Sequence, residues 1–405
     1  MSEKLKVVWL CHLSNKEIQD ILHPWKRVRE YAPWMFISLR VAEQDPRFEV
    51  HVVAPHAYIA RTHEFELRGI HYHFYNPNIP VIGQPWPHLR GVSWDEFSDF
   101  RRSKRIVSRI INKINPDVIH LYGAENPYYS STVLPLIDKY PTILTIQGFA
   151  SHTKNKISKH MAKKIEVEQK VIRAIPICFY RAKKQGQDTL DYNPKMELLP
   201  NMFGSYELKY DNLPTDKKYD LVFFATICKD KGMDDLIKAV KIIKNKKPDI
   251  SLCVIGGGSI EKYVTMCDEL GVKDNVTWAG FQPTRRDVHF LAAQCRISVL
   301  PTYHDILPGT ITESMFLGIP MVSYDVDSNP EINEDYEAVR LVKVGDVDAL
   351  ADNLYQLLCD DQQRMKLGEA GHTRAYEMFA PTNKQVAEQW MNGYQRAIEL
   401  FRSKH

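Results

Sequence analysis

The sequence predicts an α/β chain of two doubly wound, Rossmann-like domains facing a central cleft. Three observations carry this. Short apolar runs of strand length alternate with amphipathic runs of helical period from end to end, the pattern of parallel sheets covered by helices. The series breaks once, in a polar, irregular stretch that reaches Pro214, and then restarts. Finally, 405 residues at 44% hydrophobic content suffice for two cores. In the first series, strands are expected at Lys6–Leu10, Glu49–Ala54, Ile70–Phe74, Val118–Leu121, Thr142–Ile146 and Ile177–Phe179, with a helix near Trp34–Ala42. Asn193-Pro194 and Pro200-Asn201 then punctuate one more short strand. The second series has strands at Tyr219–Thr226, Ser251–Ile255, Val276–Ala279, Ile297–Leu300, Met321–Ser323 and Val339–Leu341. The expected boundaries are 1–199, 200–380 and a terminal helical segment, 381–405, with Val386, Trp390, Tyr394, Ile398 and Phe401 at helical spacing.

Composition narrows the function classes. No apolar run approaches the roughly 18 residues that suggest a membrane span, and the first residues lack a signal-peptide pattern. Seven cysteines lie scattered without CxxC or CxxH spacing, so a zinc site is not expected and a reduced, cytoplasmic protein is. The net charge of +3 is unevenly spread. Residues 1–195 carry 29 Lys+Arg against 19 Asp+Glu, and the remainder 24 against 31. Arg101, Arg102, Lys104, Arg105 and Arg109 cluster on one predicted helix. Lys154, Lys156, Lys159, Lys163, Lys164 and Lys170 mark a second basic region. A basic first domain suits an anionic membrane face or a phosphate-bearing acceptor. Nucleic acid is not expected, because no helix-turn-helix, zinc pattern or aromatic–basic platform is present.

The densest chemistry lies in residues 301–320, PTYHDILPGTITESMFLGIP. A buried strand leads into a loop, Pro308 and Gly309 break it, and a helix over Thr310–Leu317 is closed by Gly318 and Pro320. Asp305 lies in the loop and Glu313 eight positions later, one turn into the helix. Unpaired N–H groups and the positive end of the helix dipole therefore fall between two carboxylates at the C-terminal edge of a strand. Such an edge binds a diphosphate on its amides and leaves the carboxylates for sugar hydroxyls. An ordinary strand–helix unit with two solvated acids has the same pattern.

The segment resembles the acidic-x7-acidic signature of the retaining glycosyltransferases of family 4, which have the GT-B fold. Asp305 stands for the family's first Glu, Pro308 fills its Gly-or-Pro position, and Glu313-Ser314-Met315 stands for Glu-Ala-Met. Gly318-Ile319-Pro320 completes it. Upstream, the family's Gly-Arg-x-x-x-x-Lys-Gly, whose Arg and Lys grip the donor diphosphate, is matched by Ala225-Thr226 and Lys231-Gly232, so one of two cations is missing. Arg181 is the candidate substitute. Gly256, in Cys253–Gly258, matches the Ile-Gly-x-Gly turn, and Gly280-Phe281 the strand end that meets the nucleotide base. His12 falls where the family has a Gly-rich loop, and Gln147 where it has a His near the sugar and acceptor. Gln147 donates and accepts hydrogen bonds but is no general base. His120 reads as a core histidine. Asp325-Val326-Asp327 spells a metal-binding DxD but falls where the family has Asp-x-Gly-Gly-x-x-Glu, with Glu331 as that Glu, and is not read as a metal site.

The resemblance implies a metal-independent retaining glycosyltransferase with no bound cofactor. Its donor would be a UDP-, GDP- or ADP-type sugar, and its acceptor a glycan or lipid-linked sugar of a cell-surface polysaccharide. Lys231 and the N–H groups of Gly309 and Thr310 would hold the diphosphate, Glu313 the ribose, and Asp305 the transferred sugar. The terminal helix would cross back to the first domain. Two alternatives stay open: an epimerase or phosphorylase on the same scaffold, and a non-catalytic sugar-nucleotide-binding or partner-binding protein.

Overall fold

The computed structural model describes residues 4–25, 32–78, 80–81, 84–85, 94–152, 158–201, 208 and 210–404. The chain divides into two compact units, one of Met1–Ser205 with Pro381–His405 and one of Tyr206–Ala380. Lys154 and Lys156 lie outside the described residues, as does much of the expected linker.

Among the described residues the first unit has ten strands: β1 (Leu5–Leu10), β2 (Phe48–Pro55), β3 (His63–Leu67), β4 (Ile70–Tyr75), β5 (Pro80–Val81), β6 (Gln84–Pro85), β7 (Val118–Tyr122), β8 (Thr142–Thr145), β9 (Ile177–Tyr180) and β10 (Glu197–Pro200). Eight of them form one sheet in the order β10-β9-β8-β7-β1-β2-β4-β3, and β5 and β6 pair separately. The sheet is parallel apart from β3, which runs antiparallel to β4. The central strands are near-continuous apolar runs because helices cover both faces. β3 was not among the expected strands. It folds back through Arg68 and Gly69, both in the left-handed region (φ 51° and 76°), a tight hairpin turn without the usual Asn-Gly signature. β8 ends at Thr145, one residue before the expected Ile146, which continues buried.

The terminal helix, Asn383–Lys404, packs into this first unit. Its Val386, Trp390 and Tyr394 are buried beside Trp9, Phe48 and Phe179. The Tyr394 hydroxyl accepts from Trp9 Nε1 at 3.2 Å and lies 2.8 Å from His120 Nδ1. Trp390 Nε1 donates to Asn201 Oδ1 at 3.1 Å. Gly393 permits close packing: a Cβ there would lie 2.2 Å from Phe179 Cζ. His120 is fully buried, with its other nitrogen 2.6 Å from Thr145 Oγ1, and is a core residue.

The second unit holds β11 (Tyr219–Phe224), β12 (Leu252–Ile255), β13 (Val276–Gly280), β14 (Cys295–Leu300), β15 (Met321–Tyr324) and β16 (Arg340–Val342). They form a parallel sheet in the order β13-β12-β11-β14-β15-β16. β11 stops at Phe224 rather than the expected Thr226, which leaves Thr226 exposed in the loop beyond. In each sheet the order reverses beside the first strand, at β7/β1 in one and β11/β14 in the other. Such a switch point opens a crevice at the C-terminal strand ends.

Candidate active site

Every candidate of the second unit lies at or just beyond the C-terminal ends of β11 to β14. Thr226 and Lys231 follow β11, Gly256 follows β12, Gly280-Phe281 closes β13, and Asp305 to Glu313 follow β14. Glycines let these loops converge. A Cβ on Gly256 would meet the Ala225 carbonyl oxygen at 2.0 Å, and one on Gly232 (φ 76°) the Pro301 carbonyl oxygen at 1.9 Å. The second approach presses the Lys231 loop against the strand end that leads to Asp305, and the two side chains form an ion pair, each about three-quarters buried. Phe281 is 78% exposed, an apolar ring presented to solvent at the end of β13.

The helix Gly309–Phe316 begins at Pro308, whose carbonyl accepts the first intrahelical bonds, from Ile311 at 3.0 Å and Thr312 at 3.3 Å. The N–H groups of Gly309 and Thr310 precede those bonds and belong to the open end of the helix. Thr310 Oγ1 donates to the Phe224 carbonyl at 2.6 Å, which ties the helix start to the end of β11. Glu313 leans back over this start: a Cβ on Gly309 would lie 3.4 Å from its Oε1. Its side chain is only 14% exposed. His289 Nε2 donates to Glu313 Oε2 at 2.7 Å, and Arg285 pairs with Oε1 from the solvent side. His289 is fully buried, and the Tyr210 hydroxyl lies 2.7 Å from its Nδ1. With Nε2–H given to the carboxylate, a neutral ring accepts from Tyr210, so this train sets both tautomer and carboxylate orientation.

Sequence reasoning missed Arg285, His289 and Tyr210, which lie 28 and 24 residues from Glu313 and 79 from His289. The Arg-Arg that opens the Arg285–Ala292 helix was the available signal for a second cation near the site. One of the two family glycines absent from the DxD stretch is also accounted for. Asp327 has φ 46°, so an aspartate adopts the left-handed conformation that a glycine would supply. Its Oδ2 accepts the Asp305 N–H at 2.8 Å and lies 2.7 Å from His304 Nδ1. Asp327 therefore shapes the Asp305 loop. Glu331 lies on the short helix Asn329–Ile332.

His12, Gln147 and Arg181 belong to the first unit and follow β1, β8 and β9, along the C-terminal edge of that sheet. The structure thus assigns Arg181 to a different unit from Lys231 and Thr226. Burial, helped by the nearby Lys164 charge, pushes the His12 imidazole down to about 4, so it is neutral near pH 7. A fourth residue at this edge, Glu125 after β7, went unnoticed in the sequence. Burial and the neighbouring Glu168 push its carboxyl up to about 7. Its Oε2 is buried with no hydrogen-bond partner among the described residues.

Residues 207–374 match the family Glycosyl transferases group 1. The second unit is thus similar over most of its length to the group 1 glycosyl transferases. The lipopolysaccharide core biosynthesis glycosyltransferase LpsE of Rhizobium meliloti (strain 1021) is 31% identical over 154 residues, 37% of this chain and 42% of LpsE. The chain thus spans about two fifths of the length of this curated relative. Among solved structures, sucrose-phosphate synthase of Thermosynechococcus elongatus superposes with a TM-score of 0.74 at 14% identity, covering 98% of this chain and 100% of that one. The Anabaena protein HepE, solved with UDP-glucose, gives 0.64 at 13% identity, covering 96% and 100%. At such identities the likeness concerns the fold, and the chain has the GT-B fold of two Rossmann-like domains.

Proposed function

We propose that this protein transfers a sugar, with retention of configuration, from a nucleotide-diphosphate donor to a glycan or lipid-linked acceptor of a surface polysaccharide. One observation carries the reading: both members of the acidic pair are already held by cationic or imidazole partners around the open start of the helix Gly309–Phe316. In this reading Lys231 and the N–H groups of Gly309 and Thr310 bind the diphosphate, and ribose hydroxyls replace Arg285 on Glu313 while His289 keeps the carboxylate in place. Displaced from Glu313, Arg285 supplies positive charge near the diphosphate that Thr226 lacks. Asp305 receives a hydroxyl of the transferred sugar and Phe281 flanks the base. Gly256 and Gly280 keep the strand ends slim enough for the nucleotide.

Catalysis then rests on stabilising negative charge on the leaving diphosphate with fixed donors, which calls for no metal. His12 and Gln147 offer hydrogen bonds to the acceptor in the first unit, with Arg181 on the same sheet edge. Arg101, Arg105 and Arg109 are exposed at four-residue spacing on one helix and suit an anionic membrane face or acceptor phosphate. Lys104 and Lys163 share Asp99 at 2.7 and 2.9 Å, so those two lysines are partly neutralised. No described helix is long and apolar enough to cross a membrane, so contact at the inner face would be peripheral.

The test is a thermal-shift screen of nucleoside diphosphates and their sugars on the wild type and Glu313→Ala. A ligand at about 100 times its dissociation constant adds roughly 2.7 kcal/mol. Stabilisation by one nucleotide class, lost in the variant, is expected. Folded wild-type protein that responds to none of them would favour the non-catalytic, partner-binding alternative.

A further inference from the structure

We propose that the first unit also carries a metal site, in which Glu49, His51 and His71 bind one late first-row divalent cation such as zinc. His51 on β2 and His71 on β4 are direct partners in the parallel register, and Glu49 precedes His51 by two residues, on the same face of the sheet. One ligand atom from each of the three lies within 4.8 Å of the other two. The imidazoles stack with centroids 4.6 Å apart, and His51 Nε2 lies 3.0 Å from Glu49 Oε1. Zn–N and Zn–O bonds of about 2.0–2.2 Å set tetrahedral ligands about 3.4 Å apart, so binding turns the stacked rings toward one point, closes the set and leaves a fourth position for water. Two imidazoles and a carboxylate suit zinc and its neighbours better than calcium or magnesium.

Lys6 Nζ stands 3.5 Å from the same Glu49 oxygen and would give way to the ion, and the bonds through His73 favour this occupant. His51 Nδ1 lies 3.1 Å from His73 Nε2. The His73 side chain is nine-tenths buried, and its Nδ1 has no hydrogen-bond partner among the described residues, although Glu64 Oε1 stands 3.6 Å away. Without a metal, a neutral His51 that donates Nε2–H to Glu49 must accept at Nδ1 from His73 Nε2–H. Neutral His73 then presents a bare Nδ1 to the Glu64 carboxylate, lone pair against negative charge. A cation on His51 Nε2 reverses the train. His51 Nδ1–H donates to His73 Nε2, and the His73 proton moves to Nδ1, facing Glu64. This is the second-shell arrangement that fixes the tautomer of a metal-bound imidazole. The ion would bridge β2 and β4 and, through Glu64, engage β3 at the edge of the sheet.

The experiment uses the full chain, stripped with chelator and titrated with zinc by calorimetry and with cobalt(II) by visible spectroscopy. One equivalent should bind, raise the melting temperature, and give cobalt d–d bands without a thiolate charge-transfer band. His71→Ala and Glu49→Gln, both at partly exposed positions, should each weaken zinc at least tenfold, while Glu313→Ala should bind zinc as the wild type does. No binding, affinity unchanged in both variants, or a thiolate band would overturn the proposal.

Discussion

Glu125 offers the most direct test of the electrostatics at the first unit's strand edge. Its carboxyl is pushed from 4.5 up to about 7, chiefly by burial. Between those pH values the folded chain holds a proton that the unfolded chain has released, so stability must fall as pH rises through the window and level off above it. The size of the pKa change corresponds to about 3 kcal/mol. Glu125→Gln keeps the shape of the neutral acid and removes the titration. Chemical denaturation followed by tryptophan fluorescence is the assay, because six of the seven tryptophans belong to first-unit segments. The stability of Glu125→Gln relative to wild type should climb by about 3 kcal/mol between pH 4.5 and 8. Taking this difference cancels the histidines, whose titration both proteins share. A difference that stays flat across the window would show that the carboxyl is solvated and that the reasoning about its burial is wrong.

Two further substitutions probe the framework. Tyr394→Phe leaves Trp9 Nε1 and the Tyr394-facing nitrogen of His120 without their shared partner in a dry core, and should cost about 2–3 kcal/mol by denaturant titration. Gly232→Ala places a methyl 1.9 Å from the Pro301 carbonyl oxygen at φ 76°, so the loop must move. It should abolish the thermal shift by nucleoside diphosphates with little change in the unit's far-UV circular dichroism.

The twelve strands expected as apolar runs all exist, with ends that differ by one or two residues, because buried parallel strands need nothing beyond their own apolar run, and the thirteenth, set off by its flanking prolines, is β10. β3 escaped notice because it is no continuous apolar run: Glu64 and Glu66 alternate with Phe65 and Leu67, and its turn uses Arg68-Gly69. Around the site, local spacing marked Asp305 and Glu313 as candidates, and the family resemblance added Lys231. It could not show that Arg285 and His289 converge on Glu313, or that Asp327 takes a glycine's conformation to hold the Asp305 loop.

The same division holds for the histidines. Nothing local in His51, His71 and His73 marks a cluster, since their meeting depends on the parallel register of β2 with β4. The amino-acid sequence by itself determined the α/β class, the two-series organisation, and which candidate residues fall at a strand end and a helix start. These depend on periodicity and on contacts a few residues apart. The partners of each carboxylate, the buried state of Glu125 and the histidine train were decided only in the tertiary structure. They rest on burial and on contacts between distant segments, which local spacing does not encode.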